Sequence, residues 1–305
     1  MLLFVEQFLN GLQFGLLLFL LAAGLTLVFG IMDLVNLAHG SLYMIGAYFA
    51  ATFVALTGNF VAAVLLALVA TLLVGMAVEI IALRRLYGRD HLDHVLGTFG
   101  LILLFNELVR LIWGPAGRNL DLPPWLNTSF QILPGVPYPT YRLVIIAVAL
   151  LVALALYIVI MRTRIGMLIR AGASNREMIG ALGINIKLLY TFVFGVGAAL
   201  AGLAGIMQTP ILTAQIGMGE NVLIVAFVVI IIGGIGSIRG AFIASIFVGL
   251  IDTIGRAFLP DILKLALTPA AAATAAPALS SMLIYIVMAV VVILRPEGLF
   301  PAASK

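Results

Sequence analysis

Cysteine is absent from the 305-residue chain. That excludes disulfides, thiolate metal sites and cysteine nucleophiles. Charge is nearly as scarce: 9% of residues are Asp, Glu, Lys or Arg, against about 25% in a typical soluble domain. There are three His and two Trp. With so few ionisable groups, no Ser/His/Asp set, paired carboxylates or nucleic-acid-binding surface stands out. The chain reads as neither an enzyme nor a nucleic-acid binder. What fills the composition is apolar: 64% of residues, with a mean hydropathy of +1.26. The polar surface is too small to cover a globule of this size. Lipid has to solvate the excess.

Runs without Asp, Glu, Lys or Arg cover 7–32, 34–78, 143–161, 188–219, 221–238 and 265–294. One spanning helix takes about 20 apolar residues, so the run 34–78 holds two. Shorter candidates lie near 95–109 and 241–258. The expected fold is all-α: one polytopic membrane domain over 1–305 with eight or nine transmembrane helices. Spans are predicted near 8–30, 41–57, 60–83, 95–113, 142–161, 188–208, 222–236, 241–258 and 280–294. Helices are required because lipid offers the backbone no hydrogen-bond partners. Residues 1–30 lack a basic lead before an apolar run longer than a signal-peptide core, so they read as a span and not as a cleavable signal.

The net charge is +4. Segments 84–94 and 162–187, with Arg239, Arg295 and Lys305, place eleven of the 16 Lys and Arg on one side; Arg110, Arg118, Arg142, Arg256 and Lys264 fall on the other. The bias predicts an external N-terminus and a cytoplasmic C-terminus. This odd span count takes 31–40 as a turn and not as a break inside one helix. Six prolines make external segment 114–141 an ordered cap or loop. Ala-rich segment 266–281, with Pro269 and Pro277, is expected to be a linker and not a continuous helix. A faint echo appears at an offset of 200: Ala38-His39-Gly40 and Ile238-Arg239-Gly240 each follow a polar, Gly-containing turn and open a new span. Repeated halves with broken helices are common in transporters.

Segment 162–187 carries five basic residues and one acid. Asn175 can cap a short helix with Arg176 and Glu177 in its first turn. Met178, Ile179 and Leu182 share one face, and Gly183 is a C-terminal stop. Such a helix fits docking into a groove of another protein, or lying on anionic lipid; both readings are open.

Glu177 followed by Met178, Ile179 and Gly183 resembles the "EAA" loop of ABC importer permeases, with Met178 and Ile179 where that loop has Ala-Ala. The runs GLTLVFGIMDLVNLAHGSLYMIGAY (24–48), TFGLILLFNELVRLIWG (98–114), RAGASNREMIGALGIN (170–185), FGVGAALAGLAG (194–205), GGIGSIRGA (233–241) and RPEGLF (295–300) resemble, in order, the branched-chain amino-acid permeases of ABC transporters. Within that family the chain is similar to the shorter of two paired permeases. The resemblance implies an ABC-importer permease fold in the bacterial cytoplasmic (inner) membrane. The implied partners are a second permease subunit, two cytoplasmic ATP-binding subunits and an extracytoplasmic substrate-binding protein. It assigns residues 175–183 to coupling with the ATPases. The chain has no GxxxxGK[ST] motif, so ATP and Mg belong to partner subunits and no cofactor is expected here. Gly233-Gly234-Ile235-Gly236-Ser237 fails the dinucleotide-loop spacing and reads as close packing or a helix break.

Ionisable and amide groups inside spans are costly and are functional candidates. Asp33, Asn36, His39 and Ser41 lie where a helix ends or breaks; they line a pathway or form a capping turn. Asn106 is a further pathway candidate. Glu107 with Arg110, and Asp252 with Arg256, are spaced for structural pairs. Glu79 is positioned to hold Arg84 or Arg85 at the end of its span. Asp90, His91, Asp93 and His94 read as a solvated loop and not as a metal site. Ala198/Gly202, Ala201/Gly205 and Gly11/Gly15 let backbones approach closely, inside the subunit or against a second permease. The expected function is import of Leu, Ile or Val by alternating access driven by partner ATPases. Urea, short amides or other amino acids are alternative substrates. An autonomous secondary transporter is the competing class, disfavoured because the acidic residues cluster at span ends.

Overall fold

A computed structural model describes residues 2–133, 135–174 and 176–301. The described residues form a helical bundle with one β-hairpin. Its helices are α1 (Leu2–Met32), α2 (His39–Thr57), α3 (Phe60–Ile81), α4 (His91–Trp113), α5 (Thr140–Arg162), α6 (Arg164–Ser174), α7 (Arg176–Ala181), α8 (Ile186–Gln208), α9 (Met218–Gly233), α10 (Ile238–Leu263) and α11 (Pro269–Leu294). Among the described residues, eight helices are long and apolar enough to cross a membrane, and α9 is a shorter apolar helix. At 16 residues, α9 is roughly 24 Å long, less than the ~30 Å hydrocarbon layer.

Helix ends are set by local chemistry. Asn59, Asn185, Ser237 and Thr268 each accept a hydrogen bond from the backbone N–H three residues on, the usual N-cap arrangement. Thr268 corrects the expected linker at 266–281: it caps a continuous helix that starts at Pro269. Proline at the first helical position removes an N–H that would be unpaired anyway. The Ala run behind it has the highest helix propensity, and Pro277 is carried inside.

The expected cap at 114–141 contains an antiparallel hairpin, Ser129–Leu133 (β1) with Val136–Pro139 (β2). Tyr138 is fully buried there and donates to Asn10 Oδ1 at 3.1 Å. Burial pushes its hydroxyl pKa up, so the phenol stays a donor. Leu2 approaches the hairpin at Gly135. At the other end of the chain, Leu299 and Phe300 donate to the carbonyls of Ile232 and Gly233 at the end of α9. The described ends of the chain therefore lie on opposite sides of the layer, called here the hairpin side and the basic side.

Helix α1 is the centre. Every residue from Gly15 to Val28 is buried. It packs on α10, α8, α5 and α9. Small residues set these distances. A Cβ on Gly15 would stand 2.6 Å from the Ser245 carbonyl oxygen of α10, and one on Gly11 3.0 Å from the Leu250 Cα. A Cβ on Gly46 of α2 would stand 2.5 Å from the Gly202 Cα of α8. Ala198 of α8 faces Gly75 of α3, Gly205 faces the Tyr43 carbonyl of α2, and Ala201 is fully buried. These small residues pack within the subunit.

Gly46→Val must therefore force α2 and α8 apart. We expect the purified variant to melt several degrees below wild type in detergent. Gly100→Ala, on an open face with nothing within 4 Å of the added Cβ, should be neutral or stabilising by up to about 1 kcal/mol. Equal melting temperatures for Gly46→Val and Gly100→Ala would contradict this packing.

Candidate functional site

The basic segment 162–187 folds as two helices, not the single short one expected. Helix α6 turns off α5 at Thr163, whose backbone is extended, and packs back on the end of α5 at Gly166, where a Cβ would stand 2.2 Å from the Ile160 carbonyl oxygen. Arg170 of α6 donates back to that carbonyl. Helix α7 follows. Gly183 ends it with φ 85°. Its N–H bonds the Gly180 carbonyl at 3.0 Å and the Ile184 N–H bonds the Ile179 carbonyl at 3.3 Å. This is the glycine-closed helix end in which the left-handed residue lets two trailing N–H groups fold back.

The apolar face splits. Ile179 is buried, 4% exposed, whereas Met178 and Leu182 are 62% and 74% exposed. Ile179 thus anchors α7 to its own subunit and does not belong to an outward stripe of three. Asn175 lies outside the described residues, as do the side chains of Arg176 and Glu177. After Gly183 the chain enters α8 directly, through the Asn185 cap.

The base of α8 is tied to its neighbours by a buried carboxylate. Glu79 of α3 is 0% exposed. Its Oε1 accepts from Arg84 Nε at 3.2 Å and Tyr87 Oη at 2.5 Å. Its Oε2 accepts from Arg84 Nη2 at 3.0 Å and from Thr191 Oγ1 of α8 at 2.5 Å. Burial, then the bond to Glu79, raises the Tyr87 hydroxyl well above its ordinary range, which keeps it a donor. Tyr87 also meets Tyr190 edge-on at 5.3 Å, and Tyr190 donates to the Ile31 carbonyl of α1. One side chain thus joins α3, the α3–α4 connection and α8.

The pathway candidates do not form one cluster. Asp33 is exposed at the end of α1, in a left-handed conformation with φ 52°. Asn36 and His39 are 0% exposed and Ser41 is 3% exposed; all three lie inside the bundle. His39 fits because residue 24 is glycine: a Cβ there would stand 2.9 Å from its Nε2. The Leu21 carbonyl faces the ring, but no hydrogen bond of normal geometry forms to either nitrogen. Asn36 has no partner among the described residues for its side-chain oxygen or nitrogen. Both are polar side chains enclosed by the bundle.

Asn106 lies elsewhere, half-buried on α4, and donates to Glu220 Oε1 of α9 at 2.6 Å. Sequence reasoning passed over Glu220, which only separated two apolar runs. Its depth decides its importance. Gly219, beside it, meets the Gly40 backbone: a Cβ on Gly219 would stand 1.8 Å from the Gly40 carbonyl oxygen. Gly40 lies seventeen residues before the end of α2, roughly 26 Å by helical rise. Its neighbour His39 touches Gly24, eight residues above the end of α1, or about 12 Å. Glu220 therefore sits deep in the layer and is exposed. This corrects the expectation that acidic residues cluster at span ends, because α9 begins mid-layer.

The echo at 38–40 and 238–240 has a structural counterpart. Gly40 packs on Gly219 at the start of α9, and Gly240 packs on Gly233 at its end. The expected pairs Glu107–Arg110 and Asp252–Arg256 form at 3.8 and 2.9 Å. His94 Nε2 lies 2.9 Å from the Leu86 carbonyl oxygen. Among the described residues no three His, Asp or Glu side chains could hold a metal ion.

Residues 7–292 match the family model described as branched-chain amino acid transport system / permease component. The chain belongs to this permease family. It is 31% identical over 85% of its length to the high-affinity branched-chain amino acid transport system permease protein BraD of Pseudomonas aeruginosa, covering 88% of that protein. It is 30% identical over 84% to the corresponding LivH protein of Escherichia coli, covering 87% of it. A probable branched-chain amino acid transport permease of Methanocaldococcus jannaschii is 27% identical over 78% of the chain and 76% of its own length. No solved structure matches. The family and the eight candidate spans make the chain a multi-pass permease of the bacterial inner membrane and not an enzyme.

Removing the Glu79 carboxylate would take the acceptor from Arg84 Nε and from the Tyr87 hydroxyl, whereas Thr191 Oγ1 keeps the Lys187 carbonyl at 2.9 Å and still accepts from Arg84 Nη2 at 2.7 Å. Because Arg84 is 31% exposed, the cost falls below the 3–5 kcal/mol of a fully buried pair; we expect about 2 kcal/mol for Glu79→Ala. Thermal melting of purified wild type and variant in the same detergent measures it; a loss below about 0.5 kcal/mol, the scale of an ordinary surface substitution, would contradict this.

Proposed function

We propose that the chain is a permease subunit of an ATP-driven importer of branched-chain amino acids. It works beside a second permease, two cytoplasmic ATP-binding subunits and an extracytoplasmic binding protein. The positive-inside bias assigns the basic side to the cytoplasm. The observation that carries the reading is α7: a short helix on the basic side, anchored by Ile179, with Met178 and Leu182 turned outward and joined through Gly183 to a spanning helix. Two exposed apolar side chains on so short a helix fit a groove on an ATPase subunit. Closure of the ATPases would push α7, and α8 would carry the displacement into the bundle. The family match supports the substrate class.

A second reading has one observation in its favour. Glu220, exposed at mid-depth, is the kind of group that an ion-coupled carrier uses. ATP dependence separates the two. The intact complex in proteoliposomes should take up labelled leucine only when ATP is supplied on the cytoplasmic side. Leucine uptake by the purified chain alone, without ATP, would overturn the importer reading.

Gly183→Asp puts a carboxylate and a Cβ at a left-handed position at the negative end of α7, and Glu177→Lys reverses the charge of its first turn. We expect either to cut uptake to background while the chain still inserts at wild-type level on a membrane immunoblot. Wild-type uptake in both would remove the coupling assignment.

A further inference from the structure

Glu220 presents an energetic problem that this chain alone does not solve. A carboxylate exposed to hydrocarbon at mid-depth is expensive, and such groups face water-filled cavities or find a counter-charge. No cation of this chain lies within ion-pair distance of Glu220 among the described residues. The start of α9 lends partial positive charge to its first turn. Asn106 supplies one hydrogen bond, to Oε1. That bond leaves Glu220 Oε2 and Asn106 Oδ1, on the two hydrogen-bonded side chains, without protein donors among the described residues. Two neighbouring acceptors, one anionic, match a compact ligand with several N–H donors.

The surroundings narrow the ligand further. Leu103, one turn before Asn106 on α4, is 56% exposed, and Ile224, one turn after Glu220 on α9, is 52% exposed. Helix α4 runs toward the hairpin side and α9 away from it, so both apolar side chains lie on the basic-side flank of the polar pair. A polar head beside an aliphatic patch is the outline of an amino acid with a branched side chain.

We propose that Glu220 and Asn106 form the subsite that takes the substrate's α-ammonium group on a water-lined face between α4 and α9, with Leu103 and Ile224 against its aliphatic side chain. This rests on the import reading above and adds the binding residues to it. The single hydrogen bond and the open face leave the ammonium group partly hydrated, so it is held briefly and released.

The native absence of cysteine allows single-cysteine reporters in the intact complex in proteoliposomes. Glu220→Cys should react with water-soluble methanethiosulfonates at least tenfold faster than Leu151→Cys, which is 65% exposed on α5. Millimolar leucine should slow modification of Ile224→Cys severalfold. 4-Methylpentanoate, which is leucine without its ammonium group, should not. Adding Glu220→Gln to the Ile224→Cys reporter should abolish leucine protection. An unreactive Glu220→Cys overturns the water-lined subsite whatever the substrate is. Undiminished protection in Glu220→Gln, or equal protection by 4-methylpentanoate, overturns the ammonium assignment. Failure of the wild-type complex to import leucine is a separate result, and it overturns the import reading itself.

Discussion

Backbone contact between helices is the constraint on which the rest of this structure depends. Inside lipid, apolar side chains gain nothing by leaving one hydrocarbon environment for another, so helices associate through packing and hydrogen bonds. The chain meets this with small residues at its crossings: Gly15 against α10, Gly46 and Gly205 between α2 and α8, and Gly40 and Gly240 at the two ends of α9. Close approach lets dispersion act over long stretches of backbone. The last pair matters most for function. By gripping α9 at both ends, it fixes a helix too short to span and holds its start at mid-depth, where Glu220 meets α4.

Broken helices create the polar interior as well. Between Met32 and His39 the chain leaves helical geometry, and α2 starts well inside the layer. Asp33 turns the chain at the basic side, while Asn36 and His39 are drawn into the bundle. Irregular backbone at this depth is tolerated where protein, not lipid, surrounds it, and the burial of 34, 36 and 38–48 meets that condition. The same break therefore has two products: two buried polar side chains, Asn36 and His39, and a platform at Gly40 on which α9 rests.

Much of this was legible in the sequence. Gaps between charged residues mark the spans because a charge inside hydrocarbon is penalised so heavily that its absence is informative. Gly183 was legible because a left-handed helix end admits few other residues. The failures have physical causes too. Pro277 argued against a helix at 269–294 because a soluble helix would break there, whereas membrane helices tolerate proline more readily. Periodicity groups Ile179 with Met178 and Leu182 on one face without saying which of them is covered, and the structure buries Ile179 alone. Glu220 was overlooked because sequence gives no depth: an acid at a helix start is ordinary at a membrane surface and exceptional in its middle, and only the Gly40–Gly219 contact distinguishes the two. Asn106, named from its amide alone, gained its meaning from a partner 114 positions away.

The connections among these parts suit transmission of a push. On the import reading, force arrives at α7, whose six residues are too few to absorb it by bending. It passes through the tight end at Gly183 into α8. Helix α8 is gripped along its length by α1, α2 and α3, so it cannot slide without moving them. Two branches then reach the polar face. One runs through the α2–α8 crossing at Gly46 and Gly205 to Gly40 and the start of α9. The other runs through Thr191 and Glu79 to the α3–α4 connection, and so to α4, which carries Asn106. On the import reading both branches begin on one helix and end on the two sides of a single 2.6 Å hydrogen bond, so a tilt of α8 would act on the spacing of Glu220 and Asn106. Side chains packed at van der Waals contact transmit such a displacement instead of dissipating it. On the same reading the carboxylate belongs at this level because both branches converge on it: the start of α9 rests on Gly40, and Asn106 of α4 holds Oε1.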